Sequence, residues 1–310
     1  MTSKFMLAHR GDLGILQRSD VVAEAKLDGT RCHIKKTPTG LEMWSRNSKD
    51  NTYSVNYAEV HNLPEVEHDI RNLNCKSVWL DVELVWFNKF GRSIMRGSQV
   101  RCGTKRRDAI LEKVKLYPIK AMAFDLLELN GEDFTKQPFT IRKGILKEFL
   151  AEQKDLDSLR YLDYTLDKRE LWKHMVSIGG EGIMVKTLSG IYEFRRSREW
   201  LKLKNEKIAI KRVVGYTLGE GARAPYFGSL VLMNPDGTYC GNVGGGFNTE
   251  ELEWWTQQLL SARRIDKPFP VSEVGNKYIA IKIPLEVKVR YYEVTSHGIL
   301  RFPVYVGYVK

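Results

Sequence analysis

The run Ser77-Val78-Trp79-Leu80-Asp81-Val82-Glu83-Leu84-Val85-Trp86 limits the folds open to the chain more than any other stretch. It is apolar enough for a central strand, yet it carries two carboxylates at alternate positions. Side chains alternate between the faces of a strand, so Asp81 and Glu83 point the same way. Same-face acids on a buried strand need a ligand, a metal or a cation to offset their desolvation. The stretch reads as a strand that carries a site.

A second stretch, Glu24-Ala25-Lys26-Leu27-Asp28-Gly29-Thr30-Arg31, follows apolar Val21-Val22-Ala23 and precedes Cys32-His33-Ile34. It predicts a strand, a tight turn at Asp28-Gly29 and a returning strand. Lys26 then sits at a strand end, beside a glycine that lets a ligand approach the backbone. Such a lysine is a nucleophile when burial or neighbouring cations bring its pKa down from about 10.4. The same residues also suit an ordinary surface hairpin. Arg31 is placed to hold a phosphate or a ribose.

Other stretches add candidates and punctuation. Leu41–Trp44 alternates as a strand and leads to Arg46 and Lys49, which suit phosphate or a solvated turn. Residues 57–73 predict a helix with an apolar face through Leu63, Val66 and Ile70. The segment 88–105, with Arg92, Arg96, Arg101 and Lys105, reads as an exposed basic loop, and 106–116 as a short helix. Lys120–Leu127 is another apolar strand, closed by a turn at Asn130-Gly131; its Phe124 is either core or a base-stacking platform. Helical stretches 141–152 and 168–177 flank a strand at 160–164. In Gly179-Gly180-Glu181-Gly182-Ile183-Met184-Val185-Lys186, glycines admit a close neighbour while Glu181 opens a strand ending at Lys186. Leu201-Lys202-Leu203-Lys204 puts two lysines on one face, which makes sense around phosphates.

After Asn205-Glu206-Lys207 the texture changes to short glycine-rich and β-branched strands, interrupted by a helix with Thr249 as N-cap running to about Ala262. These predict a small barrel and a boundary near Glu206, giving domains 1–205 and 206–310. A length of 310 residues accommodates two cores. The formal charge of +11 makes a polyanion a plausible partner. Four widely spaced cysteines without a Cys-x-x-Cys pair argue against a zinc cluster or disulfide framework and point to a reducing, cytoplasmic or nucleoid location. No apolar run approaches the roughly 18 residues of a membrane span, and no export signal is visible.

In order and spacing these pieces resemble the ATP-dependent DNA ligases, within the lysine-nucleophile nucleotidyltransferases. The pieces are Lys26-x-Asp28-Gly29-x-Arg31, Ser45-Arg46-Asn47, Asp81-x-Glu83, Phe124-Asp125-Leu126-Leu127, Glu181-Gly182-x-x-Val185-Lys186 and Lys202-x-Lys204. Gly219-Glu220-Gly221, Gly228-Ser229-Leu230, Gly244-Gly245-Gly246-Phe247 and Arg301-Phe302-Pro303 resemble that family's carboxy-terminal barrel. The resemblance implies an α+β adenylation domain followed by an OB-fold β-barrel, and a monomer acting on nicked duplex DNA with ATP and Mg²⁺ (or Mn²⁺). It implies Lys26 as nucleophile, with Lys202 and Lys204 on the α-phosphate. Glu83 would take the ribose hydroxyl, Phe124 would stack on adenine and Glu24 would read its amino group. Glu181, with Asp81, would organise the metal, while Arg31, Arg46, Lys186 and Arg196 would hold the ribose or the nick's 5′-phosphate. Grip on DNA would come from Arg92, Arg96, Arg101 and Lys105. Arg301 would orient the leaving pyrophosphate, although the chain after Pro303 lacks the further basic residues usual in the family. The size suits a viral, phage or minimal bacterial or archaeal enzyme. RNA ligases and capping enzymes share the lysine chemistry, and a non-catalytic nucleic-acid-binding module would share the charge and the barrel.

Overall fold

The computed structural model describes residues 5–45 and 62–309. It is an α+β structure in two compact units, Met1–Asn205 and Glu206–Lys310. The first unit is built on two sheets. One has the order β1-β11-β10-β2-β9, formed by β1 (Leu7–Arg10), β2 (Val21–Ala25), β9 (Tyr164–Thr165), β10 (Gly182–Thr187) and β11 (Arg196–Lys204). The other runs β4-β3-β5-β6-β7, with β3 (Thr30–Thr37), β4 (Gly40–Ser45), β5 (Val78–Val85), β6 (Lys120–Leu129) and β7 (Glu132–Asp133). The short β8 (Leu159–Tyr161) pairs with β6 in parallel.

Lys26–Gly29 is therefore not the turn of a hairpin: β2 pairs with β10 and β9, whereas β3 pairs with β4 and β5. The segment carries the chain from one sheet to the other, and Gly29 makes the crossing possible. A Cβ there would lie 2.4 Å from Leu84 O, far inside van der Waals contact. The expected strand at 160–164 likewise divides into β8 and β9, which serve different sheets.

In β5, Val78, Leu80, Val82 and Leu84 turn into the main core with Leu146 and Phe149, so Asp81 and Glu83 share the opposite face. Around the sheets lie α1 (Pro64–Arg71), α2 (Met95–Gly103), α3 (Arg107–Leu116), α4 (Phe139–Ala151) and α5 (Lys168–Ser177). Among the described residues α1 begins at Pro64, a residue whose missing N–H and preset φ suit the first helical position. The rest of the expected helix, residues 57–61, lies outside the described residues, as does Arg46. The turn after β6 is real, with Asn130 and Gly131 both at positive φ, 53° and 89°, as a two-residue hairpin turn requires.

In the second unit β12 (Lys207–Leu218) is the long central strand. It pairs with β13 (Phe227–Met233), β16 (Ile279–Lys282) and β17 (Glu286–Tyr291), while β14 (Tyr239–Val243), β15 (Arg263–Arg264) and β18 (Val304–Val309) extend the sheet. The strands expected of the small barrel thus join in one seven-stranded sheet, and a parallel bridge links Gly245 to Val304. The helix α6 (Thr249–Ser261) has its cap one residue earlier than its sequence suggests. Asn248 is the cap: its side chain accepts from Glu251 N–H at 2.8 Å, and Glu251 accepts from Asn248 N–H at 2.9 Å. The four-residue α7 (Val271–Val274) completes the unit. Among the described residues no helix is long and apolar enough to cross a membrane.

Candidate active site

In β2, Val21 and Ala23 enter a core with Ile183, Val185 and Leu203. The period of two turns Glu24 and Lys26 to the opposite face. Lys26 N–H donates to Gly182 O at 2.9 Å, extending the pairing of β2 with β10 to the lysine itself. Gly182 has φ +128°, and a Cβ there would fall 2.0 Å from Leu203 O. Only glycine lets the chain begin β10 so close to β11, and the approach brings Glu181 to Lys26. The Lys26 ammonium lies 2.5 Å from Glu181 Oε2, and Lys204 Nζ lies 3.5 Å from Glu181 Oε1. Lys202 shares the face of Lys204 and is half-buried, while Leu201 and Leu203 pack into the core behind them.

The two acids of β5 have separate fates. Asp81 is fully buried and receives Arg31 through two bonds, Nε to Oδ1 at 2.9 Å and Nη2 to Oδ2 at 2.5 Å. Tyr192 OH donates to Asp81 Oδ2 at 2.7 Å, and His33 Nε2 lies 3.3 Å from the same oxygen. Burial by itself would raise the Asp81 carboxyl, but Arg31 and His33 outweigh it and hold the group well below the usual carboxylate range. Its oxygens are thus committed to protein donors, which leaves it poorly placed for the metal expected of it. Arg31 is committed as well, since its Nη1 donates to Met6 O at 2.6 Å. Glu83 is the acid left facing the lysine. Burial pushes its carboxyl up to about 8, against the pull of Lys26 and Arg31 and with Glu181 and Asp81 adding to the rise.

Deeper on the same face, Glu24 sits between two cations, 2.8 Å from Lys143 Nζ and 2.7 Å from Lys186 Nζ. All three are buried. The Lys186 ammonium is enclosed by Trp200, Phe124 and Phe139, 4.3, 4.6 and 4.9 Å from the ring centroids. At 1% exposure Lys186 is a buried counter-ion of Glu24, where the resemblance implied a contact to the ribose or the nick's 5′-phosphate. Phe124 belongs to the core between the sheets with Met6, Leu127, Tyr192 and Trp200.

Lys143, Tyr192 and His33 were not singled out by sequence. Lys143 left a signal: Phe139, Arg142, Lys143, Leu146, Phe149 and Leu150 are the buried positions of α4. Their spacing marks one face of a helix on which two cations occupy core positions. Arg142 meets Asp125 at 2.7 and 2.9 Å, both fully buried. Tyr192 and His33 left none, because their partner Asp81 is distant in sequence.

The expected basic loop 88–105 contains α2, and its four cations diverge. Arg101 is fully buried, with Nη2 donating to both Glu65 oxygens at 2.7 and 2.8 Å and Nε to Tyr117 O at 3.2 Å. It is a structural pair and takes no part in a DNA surface. Arg96 and Lys105 are exposed, and Arg92 is half-buried. Arg196 is exposed with Nη1 on Ala8 O at 2.6 Å. Arg301, in the second unit, lies 2.8 Å from Glu293 Oε1 and packs over the rings of Tyr292 and Phe302.

Glu181 thus meets Lys26 directly, and Glu83 is near enough for the charge of Lys26 to act on it. No group of three or more His, Cys, Asp or Glu is gathered for a metal among the described residues. That donor set suits a hard cation such as Mg²⁺, which takes one or two carboxylates and completes its shell with water and substrate phosphates.

The chain matches the sequence model described as ATP dependent DNA ligase domain over residues 5–204, and that of the ATP dependent DNA ligase C terminal region over 223–309. A DNA ligase of Thermococcus fumicolans is 29% identical over 300 residues, covering 92% of this chain and 51% of that protein. The multifunctional non-homologous end joining protein LigD of Pseudomonas aeruginosa is 31% identical over 303 residues, covering 94% of this chain and 34% of that protein. The chain spans about half the length of the curated relatives it matches, or less. Among solved structures, a Lig E DNA ligase described as DNA binding with a minimal scaffold gives a TM-score of 0.66 at 19% identity over 100% of both chains. A mycobacterial DNA ligase D complexed with ATP and MES gives 0.56 at 24% identity over 99% of this chain and 95% of that one. At such identities these two likenesses speak for the fold alone. The sequence match over residues 5–204 takes in Lys26, both acids beside it and the paired lysines of β11, and by it the chain belongs to the ATP-dependent DNA ligase family.

Proposed function

We propose that this chain seals 5′-phosphate/3′-hydroxyl nicks in duplex DNA by way of a lysyl-adenylate on Lys26. The observation that carries the reading is the set Lys26, Glu181 and Lys204 at the crossing between the two sheets, 2.5 and 3.5 Å apart. In the first step Lys26 Nζ attacks the α-phosphorus of ATP. A nitrogen–phosphorus bond forms, the bond to the β-phosphate oxygen breaks and pyrophosphate leaves. Glu181 Oε2 is placed to take the ammonium proton and to aim the amine. Lys202 and Lys204 neutralise charge on the phosphate, the main demand of phosphoryl transfer. The nick's 5′-phosphate then takes the adenylate from Lys26, and the 3′-hydroxyl displaces AMP.

Mg²⁺, with Mn²⁺ able to replace it, would be held by Glu83 and Glu181 and when bound neutralises phosphate charge. Glu83 also faces the ribose, and Glu24 with Phe124 forms the inner wall at the base. The basic balance of +11 suits a phosphate-rich partner, and four free cysteines suit a reducing cytoplasm or nucleoid. The chain acts as a monomer. Mass spectrometry after incubation with ATP should show one added AMP, and a nicked DNA duplex should be sealed faster than an all-RNA one. A chain that takes up no nucleotide would overturn the reading.

A further inference from the structure

The segment between β5 and α2 is a closed, self-bonded turn. Asn88 N–H donates to Arg92 O and Ile94 N–H to Trp86 O, each at 2.9 Å, and Asn88 Oδ1 accepts from Phe90 and Arg92 N–H at 3.0 Å. Gly97 seats α2 on it, since a Cβ there would lie 2.5 Å from Trp86 Cβ. A turn held in this way is a rigid support.

It touches both sides of the Lys26–Glu181 pair. Ser93, 6% exposed, accepts through Oγ from Asp28 N–H at 2.9 Å, and Met95 N–H at the start of α2 donates to Asp28 Oδ2 at 3.4 Å. The neighbouring Arg92 packs on Gly179, its Nη1 3.4 Å from where a Cβ would be. The arch Lys26-Leu27-Asp28 is thus pinned at its first residue by Gly182 O and at its third by Ser93. From the same turn, Arg92 lies against Gly179, two residues before Glu181.

We infer that Ser93 is a positioning residue for the first chemical step: it braces the arch, while Arg92 rests against the chain before Glu181, and so sets the Lys26 amine against Glu181 and the α-phosphate. This gives the first part of the 88–105 loop a role inside the site, where the sequence suggested a grip on DNA, and it rests on the lysyl-adenylate reading above. Ser93 touches no reacting atom. Its effect is therefore on the orientation of the amine and leaves ATP affinity alone, and misplacing a reacting group by about 1 Å costs up to roughly a hundredfold.

The test compares single-turnover protein–AMP formation with sealing of a pre-adenylated nick, which needs no attack by Lys26. Ser93→Ala should slow adenylation about tenfold or more, keep KM for ATP within about twofold, and spare sealing. Ser93→Thr, which keeps the acceptor oxygen, should restore the rate. Unchanged adenylation, or equal loss in both steps, would overturn the brace. If Ser93→Ala does not fold, Ser93→Thr against Ser93→Cys reads the same bond. A slower Cys variant in adenylation alone supports the brace, and equal rates overturn it. Absence of any AMP adduct on the unsubstituted chain would remove the nucleotide reading, and the brace with it.

Discussion

Lys26 Nζ and Glu181 Oε2 stand 2.5 Å apart, joined across β2 and β10 by the bond from Lys26 N–H to Gly182 O. Lys204, the other lysine on Glu181, lies farther off at 3.5 Å. Lys26→Ala should therefore form no labelled protein–AMP with ATP while still sealing a pre-adenylated nick. Retained labelling would place the nucleophile elsewhere.

Glu181 and Glu83 flank the same amine with different duties. Glu181→Ala should lose adenylation by about a hundredfold or more, with partial recovery as Mg²⁺ is raised, because another oxygen ligand can be supplied by water. Glu83→Ala should not recover, on the proposal that Glu83 also takes the ribose hydroxyl. Titrations of Mg²⁺ for both variants check this; superimposable curves would end the distinction.

The Glu83 carboxyl also makes stability depend on pH. A glutamate ordinarily titrates near 4.5, and burial lifts Glu83 to about 8. Between those values the folded chain keeps a proton that the unfolded chain has released. Stability is thus fully present below the lower value and declines as pH rises through the upper one. Melting temperatures taken without metal from pH 5 to 9 should fall, and Glu83→Gln should flatten the slope. An equal slope in the variant would assign it to other groups.

Lys143 and Lys186 share one carboxylate. Glu24→Gln strands both buried ammoniums, and leaving a buried charge unpaired costs about 3–5 kcal/mol, so this variant should destabilise the first unit by that order. Lys143→Met in the same chain removes one stranded charge and should recover part of the loss. Urea unfolding of the single and double variants measures both effects, and a single-variant loss below about 1 kcal/mol would show that neither ammonium depends on Glu24.

Arg101 and its neighbours separate stability from DNA grip. Arg101→Ala strands Glu65 and should lower the melting temperature while leaving the salt dependence of nick binding as it was. Replacing exposed Arg96 and Lys105 together should do the reverse, reducing the log–log slope by about 0.9 for each phosphate left without its cation. Binding across a salt series decides; an unchanged slope would mean that neither residue meets the duplex.

Local chemistry was legible in the sequence. The shared face of Asp81 and Glu83, the paired face of Lys202 and Lys204, the Asn130-Gly131 turn and the change of texture near Glu206 follow from strand period, turn preference and composition, which act over a few residues. Tertiary structure decided what each charge answers to. Arg31 and Asp81, both suggested as ligand contacts, spend their hydrogen bonds on one another, and Lys186 lies sealed among three rings with Glu24. Arg101 reads in sequence like Arg96, yet one is buried on Glu65 and the other exposed. The Asp28-Gly29 turn crosses between sheets because the partners of β2, β9 and β10, lie far along the chain, whereas β3 pairs with β4 and β5. A cation's function depends on the carboxylate that reaches it through the fold, and linear spacing carries no record of that encounter.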